Sequence, residues 1–250
     1  MKTIPLLRLL VIVGFFGGLE LLCRTGVIDR FTMQPPSLIV RDLVVLLASG
    51  ELNDAIAKTL GNAAVAFALA VTVGVIAGAV IHYFGLLRAA LDPLFATYYA
   101  IPVIAFYPML IIIFGLGDAP QIMIAFMLGV VAVIVNTLNG LDRVPRVLLK
   151  TARISGLSRV ETACKVTLPY AAPYILTGVK LAIAYSLIGI VGSEFIMSTG
   201  GMGFEIAFAY NNFDNKVMYP LILLVLSVSV AANLLVGVWE KRILLRRGLR

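Results

Sequence analysis

The residues able to do chemistry in this 250-residue chain form one dense cluster and a few isolated positions. Across residues 142–170, Arg143, Arg146, Lys150, Arg153, Arg159 and Lys165 stand against only Asp142 and Glu161. A run of one charge sign docks or orients; it does not catalyse. The single histidine, His82, ends a hydrophobic stretch with no partner cluster. Cys23 and Cys164 fall in different parts of the expected topology, which argues against a disulfide, and their spacing suggests no metal. No Ser/His/Asp set or credible carboxylate pair is present, and no G-x-x-x-x-G-K-[ST] sequence could cradle ATP phosphates. The chain is therefore read as non-catalytic, with no metal or cofactor of its own. Two charges remain in apolar surroundings, Lys180 and Glu194. Charge at mid-bilayer costs roughly 2.5–3.5 kcal/mol on insertion scales, so such groups snorkel or face a cavity. Lys180 can snorkel, whereas Ser193 and Glu194 are candidates for a polar path.

The elements that position these residues are membrane helices. The chain is 61% hydrophobic and only 13% charged, with mean hydropathy +1.03, and its apolar stretches exceed the roughly 20 residues a helix needs to cross a bilayer. Six spans are expected, over about residues 4–23, 60–83, 93–115, 121–141, 172–196 and 217–239. A signal peptide competes for the first, but no small-x-small cleavage site follows it. Residues 37–47 carry helical apolar spacing and are read as an exterior amphipathic helix at the membrane surface. Gly74-Val-Ile-Ala-Gly78 suits close helix packing. Residues 85–92 read as a turn, Asp118-Ala-Pro120 as another, and Trp239 as an interfacial anchor. Asn136, Thr137 and Asn139 can hydrogen-bond across helices. In the third span Pro102 and Pro108, flanking Tyr107, free backbone carbonyls that need partners inside protein or along a wet cavity. Pro102, Tyr107 and Pro108 join Ser193 and Glu194 as path candidates.

The basic cluster reads as a helix-turn-helix between spans four and five. Its first helix ends at Ser155-Gly156, a pair suited to a C-cap. Ser158-Arg-Val-Glu161 has capping-box spacing and opens a second helix, which proline is expected to stop at Pro169. Binding of DNA by this element is excluded by its place between membrane spans, and no nucleic-acid partner is expected. With both termini inside, the inner side holds fifteen of the twenty Lys and Arg, including Lys2, Arg8, Arg88, Lys180 and the tail residues Lys241, Arg242, Arg246, Arg247 and Arg250. Arg24, Arg30, Arg41, Lys58 and Lys216 remain outside. That bias favours cytoplasmic termini and a cytoplasmic basic loop.

This loop resembles that of permease subunits of binding-protein-dependent ABC importers: Glu-Ala-Ala, three residues, Gly, nine residues, an aliphatic, one residue, Leu-Pro. Lys150-Thr151-Ala152 takes the first position, Gly156 the glycine, Val166 the aliphatic and Leu168-Pro169 the close. Lys150 replaces the acid and Thr151 an alanine. Phe114-Gly115-Leu116-Gly117 after the proline-rich stretch is similar to the nitrate, sulfonate and taurine subgroup, while Ser198-Thr-Gly-Gly-Met-Gly203 resembles the family's glycine-rich exterior loop, and the family has a glutamate near Glu194. The resemblance implies an all-α integral membrane protein of the bacterial inner membrane, with six transmembrane helices and a cytoplasmic helix-turn-helix coupling loop. It implies a second permease copy, two cytoplasmic ATPase subunits that carry ATP and Mg, and an extracytoplasmic substrate-binding protein. The coupling residues would be Lys150, Ala152, Arg153, Gly156, Leu157, Ser158, Val166, Leu168 and Pro169. The organisation expected is an N-terminal span and exterior segment over 1–54, a permease core over 55–242 with its loop at about 142–170, and a basic tail over 243–250. The competing reading is an ion-coupled secondary transporter or small channel. Against it stand the lack of an evident inverted repeat and of a selectivity sequence.

Overall fold

A chain this apolar must satisfy its backbone within each segment, and helices do so. The computed structural model describes the backbone of residues 3–29 and 31–246 and the side chains of residues 7–29 and 31–238. Among the described residues it contains helices and no strand: α1 (Thr3–Arg24), α2 (Pro36–Ser49), α3 (Asn53–Tyr83), α4 (Gly85–Tyr98), α5 (Tyr107–Phe114), α6 (Asp118–Asp142), α7 (Arg146–Ile154), α8 (Arg159–Thr162), α9 (Leu168–Met197), α10 (Met202–Asn211) and α11 (Asn215–Arg246). The expected anchor Trp239, the tail cations and Lys2 and Arg30 lie outside the described side chains.

Small residues decide which helices meet. α6 lies against α3 on one side and α9 on the other, and 61% of its span is buried against 6% for α11. α6 is thus the bundle's centre. A Cβ on Gly74 would lie 2.6 Å from Val133 Cβ, and one on Gly189 would lie 2.5 Å from Ala125 Cα. Those backbones approach closely only because no side chain intervenes. α3 and α6 run in the same direction, with Lys58 Nζ 3.1 Å from Asp118 Oδ1 at one end and His82 Nδ1 3.2 Å from Asp142 Oδ1 at the other. α9 runs back the opposite way, bringing Glu194 to Thr59 near the start of α3. At that same end Glu20 accepts from the Ser37 backbone N–H at 3.0 Å and from its hydroxyl at 2.6 Å, tying α1 to α2. Asn136 donates to Ala132 of its own helix at 2.8 Å rather than across to a neighbour.

Among the described residues four helices are long and apolar enough to span a membrane: α3, α6, the rod Arg159–Met197 and α11 over Asn215–Val238. α4 and the segment Val103–Phe114, bent by 98°, make a fifth span if taken as one. Several local expectations are corrected. Residues 85–92 are helical, because Leu86-Leu-Arg-Ala-Ala-Leu91 favours helix throughout. The third span is not one rod: it turns between Tyr98 and Val103. Only Pro102 stands in that interruption, since Pro108 occupies the first turn of α5, where no donor is needed. Asp118-Ala-Pro120 is likewise the first turn of α6. Residues 202–211 form α10, which begins inside the glycine-rich stretch 198–203 read as an exterior loop. The helix opened by Ser158 does not stop at Pro169. It passes through a π-turn at Ala163–Thr167 and continues as α9, with the Thr167 hydroxyl donating to the Thr162 carbonyl at 3.3 Å. A π-turn already departs from the regular ladder, so a residue without an N–H placed just after it forfeits little.

The glycine contacts yield a direct expectation. Gly74→Val should destabilise the bundle by about 1–3 kcal/mol, the usual penalty of overpacking. Gly61→Ala, whose Cβ meets nothing within 4 Å, should be neutral or slightly stabilising. Thermal unfolding of both purified variants in detergent checks the contrast.

Candidate functional site

The loop between α6 and α9 is built by two well-formed caps. α7 ends in Gly156 at φ +73°, with the Gly156 N–H donating to the Arg153 carbonyl at 3.0 Å and the Leu157 N–H to the Ala152 carbonyl at 3.1 Å. This paired pattern closes a helix around a left-handed residue, which glycine adopts without a Cβ penalty. α8 opens with a capping box. The Glu161 N–H donates to Ser158 Oγ at 3.2 Å, and the Ser158 N–H donates to Glu161 Oε2 at 3.0 Å. That backbone donor, together with the Lys165 ammonium 3.1 Å from Oε1, holds the Glu161 carboxyl below its usual range.

Ala152 is buried, while Lys150, Arg153, Gly156 and Ser158 are exposed and Leu157, Val166, Leu168 and Pro169 are half-buried. The feature the residue pattern did not disclose is apolar: Val147, Ile154 and Val160 are 70%, 88% and 73% exposed. Three aliphatic groups on this capped, cation-rich element are thus left uncovered by the rest of the chain. Behind the loop, Arg153, Leu157, Arg159 and Leu168 face His82 and Tyr83 across a cavity of about 530 Å³.

The path candidates lie toward the opposite end of the bundle. Pro102 and Pro108 are exposed, whereas Tyr107, Ser193 and Glu194 are buried. The Tyr107 hydroxyl donates to the Met197 carbonyl at 2.6 Å, and Ser193 donates to Gly189 of its own helix at 2.8 Å. Glu194, 1% exposed, accepts from the Thr59 hydroxyl at 2.8 Å and from the Gly203 N–H at 3.0 Å. Thr59 Oγ1 in turn accepts from the Met202 N–H at 2.8 Å. The carboxylate and the hydroxyl thus satisfy first-turn donors of α10, where helix N–H groups favour negative charge. This clasp explains the glycine-rich stretch. A Cβ on Gly201, at φ +106°, would lie 2.3 Å from the Glu194 carboxyl carbon, and one on Gly203 would lie 2.3 Å from the Val191 carbonyl. Thr59, 135 residues from Glu194, carries no signature in the sequence that could have found it. Among the described residues no group of His, Cys, Asp and Glu could hold a metal.

Glu194→Ala should lower bundle stability by about 1–3 kcal/mol, because Gly203 N–H and the Thr59 hydroxyl would be left buried without an acceptor; thermal unfolding in detergent measures it. The loop cap should respond to acid. Since the folded Glu161 carboxyl is depressed, the box is complete above the ordinary glutamate range and opens as pH falls through the lowered value. Amide exchange of Ser158, corrected for intrinsic rate, should lose protection on acidification in the wild type and keep it in Glu161→Gln.

Comparison with known proteins agrees with this architecture. Residues 70–245 match the family model described as binding-protein-dependent transport system inner membrane component. The chain is 34% identical over 188 residues to the nitrate import permease protein NrtB of Leptolyngbya laminosa, covering 75% of this chain and 67% of that protein. It is 30% identical over 191 residues to the bicarbonate transport system permease protein CmpB of Synechococcus elongatus, covering 75% and 68%. It is 28% identical over 238 residues to the riboflavin transport system permease protein RibX of Chloroflexus aurantiacus, covering 95% and 87%. Among solved structures, the inward-facing MetNI methionine ABC transporter has a chain that superposes with TM-score 0.67 at 17% identity, over 77% of this chain and 95% of that one, a likeness of fold. Permeases of this family are non-catalytic membrane subunits, and with these residues matched this chain belongs to it as an inner-membrane, multi-pass ABC importer permease of the nitrate type.

Proposed function

We propose that this chain forms, with a second identical copy, the translocation path of an ATP-driven importer for a small solute of the nitrate, sulfonate, taurine or vitamin-precursor kind. α1, 22 residues and about 33 Å long at 1.5 Å per residue, completes six spans with the bent α4–α5 pair counted as one. Both termini and the α7–α8 loop face the cytoplasm, and α10 faces the substrate-binding protein outside. Two ATPase subunits, carrying ATP and Mg, dock on the loops of the two copies through Lys150, Ala152, Arg153, Gly156, Leu157, Ser158, Val166, Leu168 and Pro169. Lys150 in place of an acid shifts that contact toward a negatively charged or carbonyl-rich partner groove.

The observation that carries this reading is the exposed aliphatic set Val147, Ile154 and Val160 on an element stiffened by a glycine cap and a capping box. A capped loop transmits a displacement that a loose one would absorb. The solute path runs along the bend after Tyr98, beside a cavity of about 370 Å³ that Arg88, Asp92, Tyr99 and Asn139 line between α4 and α6. Pro102 and Pro108 edge this path, while Tyr107, Ser193 and Glu194 form its supporting wall. The relatives named for nitrate and bicarbonate transport fit a path that Arg88 enters, and the riboflavin relative fits the aromatic Tyr99, stacked on Tyr185 at 6.1 Å.

Ile154→Asp and Val160→Asp should each cut co-purification of the ATPase with this chain on the order of tenfold, equivalent to ~1.4 kcal/mol, with membrane insertion unchanged. Gly156→Trp, forced to a positive φ, should do the same and abolish ATP-driven uptake in vesicles. Unaltered ATPase recovery in all three would reject docking through this loop.

A further inference from the structure

We propose that Asp142 and Arg159 are positioning residues that carry the loop's displacement into the bent α4–α5 helix, by gripping the α3–α4 junction from both sides of the loop. This rests on the loop being the docking element for the ATPase.

Asp142 is the last residue of α6, four positions before α7 begins. Its Oδ1 lies 3.2 Å from His82 Nδ1 and accepts from Arg88 Nη1. Arg88 also stands 3.6 Å from Asp92 Oδ2 along its own helix. On the far side of the loop, Arg159, first residue of α8, donates from Nη1 to the Tyr83 hydroxyl at 2.7 Å. His82 and Tyr83 are the last two residues of α3, a single residue separates them from α4, and Arg88 lies in the first turn of α4. Both ties therefore converge on a short stretch where one membrane helix hands over to the next.

Close packing does not hold the loop against that junction. The cavity of about 530 Å³ separates Ala79, His82 and Tyr83 from Leu149 and Arg153 of α7 and from Leu157. A cleft of that size admits water, which yields to a moving wall, so the polar contacts at its rim set where the loop sits. Directional hydrogen bonds between fixed helix ends resist pulling as well as pushing. The side chains of His82, Arg88 and Asp142 are 35%, 24% and 40% exposed, and solvent-screened pairs add little to stability. Their role is geometric, and the fold should survive their loss. Downstream, α4 leads through the 98° bend into α5, whose Tyr107 holds the Met197 carbonyl at the end of α9. A shift imposed at Arg88 thus has a continuous route to the opposite end of the bundle.

The test uses the full chain in complex with its ATPase in lipid nanodiscs, on a Cys164→Ser background with Cys23 buried. Tyr99→Cys, beside the bend, reports through its rate of labelling by a membrane-impermeant maleimide, without nucleotide and with Mg-ATP plus vanadate. The rate should change with nucleotide in the otherwise wild-type chain. Asp142→Asn and Arg159→Gln should each shrink that change at least threefold, with the ATPase still co-purifying at the wild-type amount. Reversal of the pair, Arg88→Asp with Asp142→Arg, should recover it. A full response in both variants, a reversal that recovers nothing, or no nucleotide response in the wild type overturns the proposal. If the wild-type chain does not bind the ATPase at all, the docking reading falls and this proposal falls with it.

Discussion

Every backbone N–H and carbonyl in a bilayer needs a partner from the protein, and this single demand shapes the whole chain. Regular helix meets it locally, so departures from helix are confined to places where other groups take over. Three such places matter here. At the interruption after Tyr98, a short turn and the first turn of α5 absorb two prolines within seven residues. At Ala163–Thr167 a π-turn precedes Pro169, and a threonine hydroxyl closes one carbonyl that the ladder leaves. At the start of α10, Glu194 and Thr59 take the donors that the helix cannot satisfy itself. The first and the last of these sit at a change of direction, where a transporter needs either a joint or a lock, whereas the π-turn lies within one continuous rod.

The two ends of the bundle are held in different ways, and the difference follows from their surroundings. At the α10 end the polar groups are buried: Glu194 is 1% exposed and Thr59 wholly enclosed. An unpaired group there would carry its full desolvation penalty, so that end has one tolerated arrangement. At the loop end the charges are half-exposed, and water can replace any partner that moves away. Between them α6 is close-packed through glycine and alanine against α3 and α9, which stiffens the middle of the bundle and leaves the helix ends beside the loop more open.

Much of this architecture was legible from composition and spacing, and the reasons for the rest are physical. Long apolar runs reveal spanning helices because their length is set by the bilayer. Ser158 and Glu161 reveal their cap because both partners lie within four residues. Gly156 reveals its turn because few other residues adopt its backbone conformation. What failed was punctuation by proline: Pro108 and Pro120 sit in the first turn of a helix, where the missing donor does not matter, and Pro169 follows a π-turn inside one continuous rod. The short apolar helix α10 was hidden behind a glycine-rich stretch that looks like a flexible loop. Contacts made across the bundle, such as Thr59 with Glu194 or Asp142 with Arg88, leave no local trace, since neither residue constrains the sequence near its partner.

Glu194 shows how a residue picked out for one reason can serve another. An acid inside an apolar span points to a cavity when no partner is in view, because an unpaired charge there is costly. Once α10 folds over it, the same acid has two donors and lies at a helix N-terminus, and it needs no water. The glycines around it then acquire a cause: Gly201 and Gly203 are small because the carboxylate and the Val191 carbonyl occupy the space a Cβ would take. The constraint is mutual, since a longer side chain at either glycine would expel the acid and a shorter one at Glu194 would leave the α10 donors without acceptors. Acid, threonine and glycines therefore form one unit, and the face that α10 presents at its end of the bundle is fixed by chemistry buried beneath it. A partner that meets this face meets a rigid surface, whereas a partner at the loop meets an element whose ties can be drawn or released.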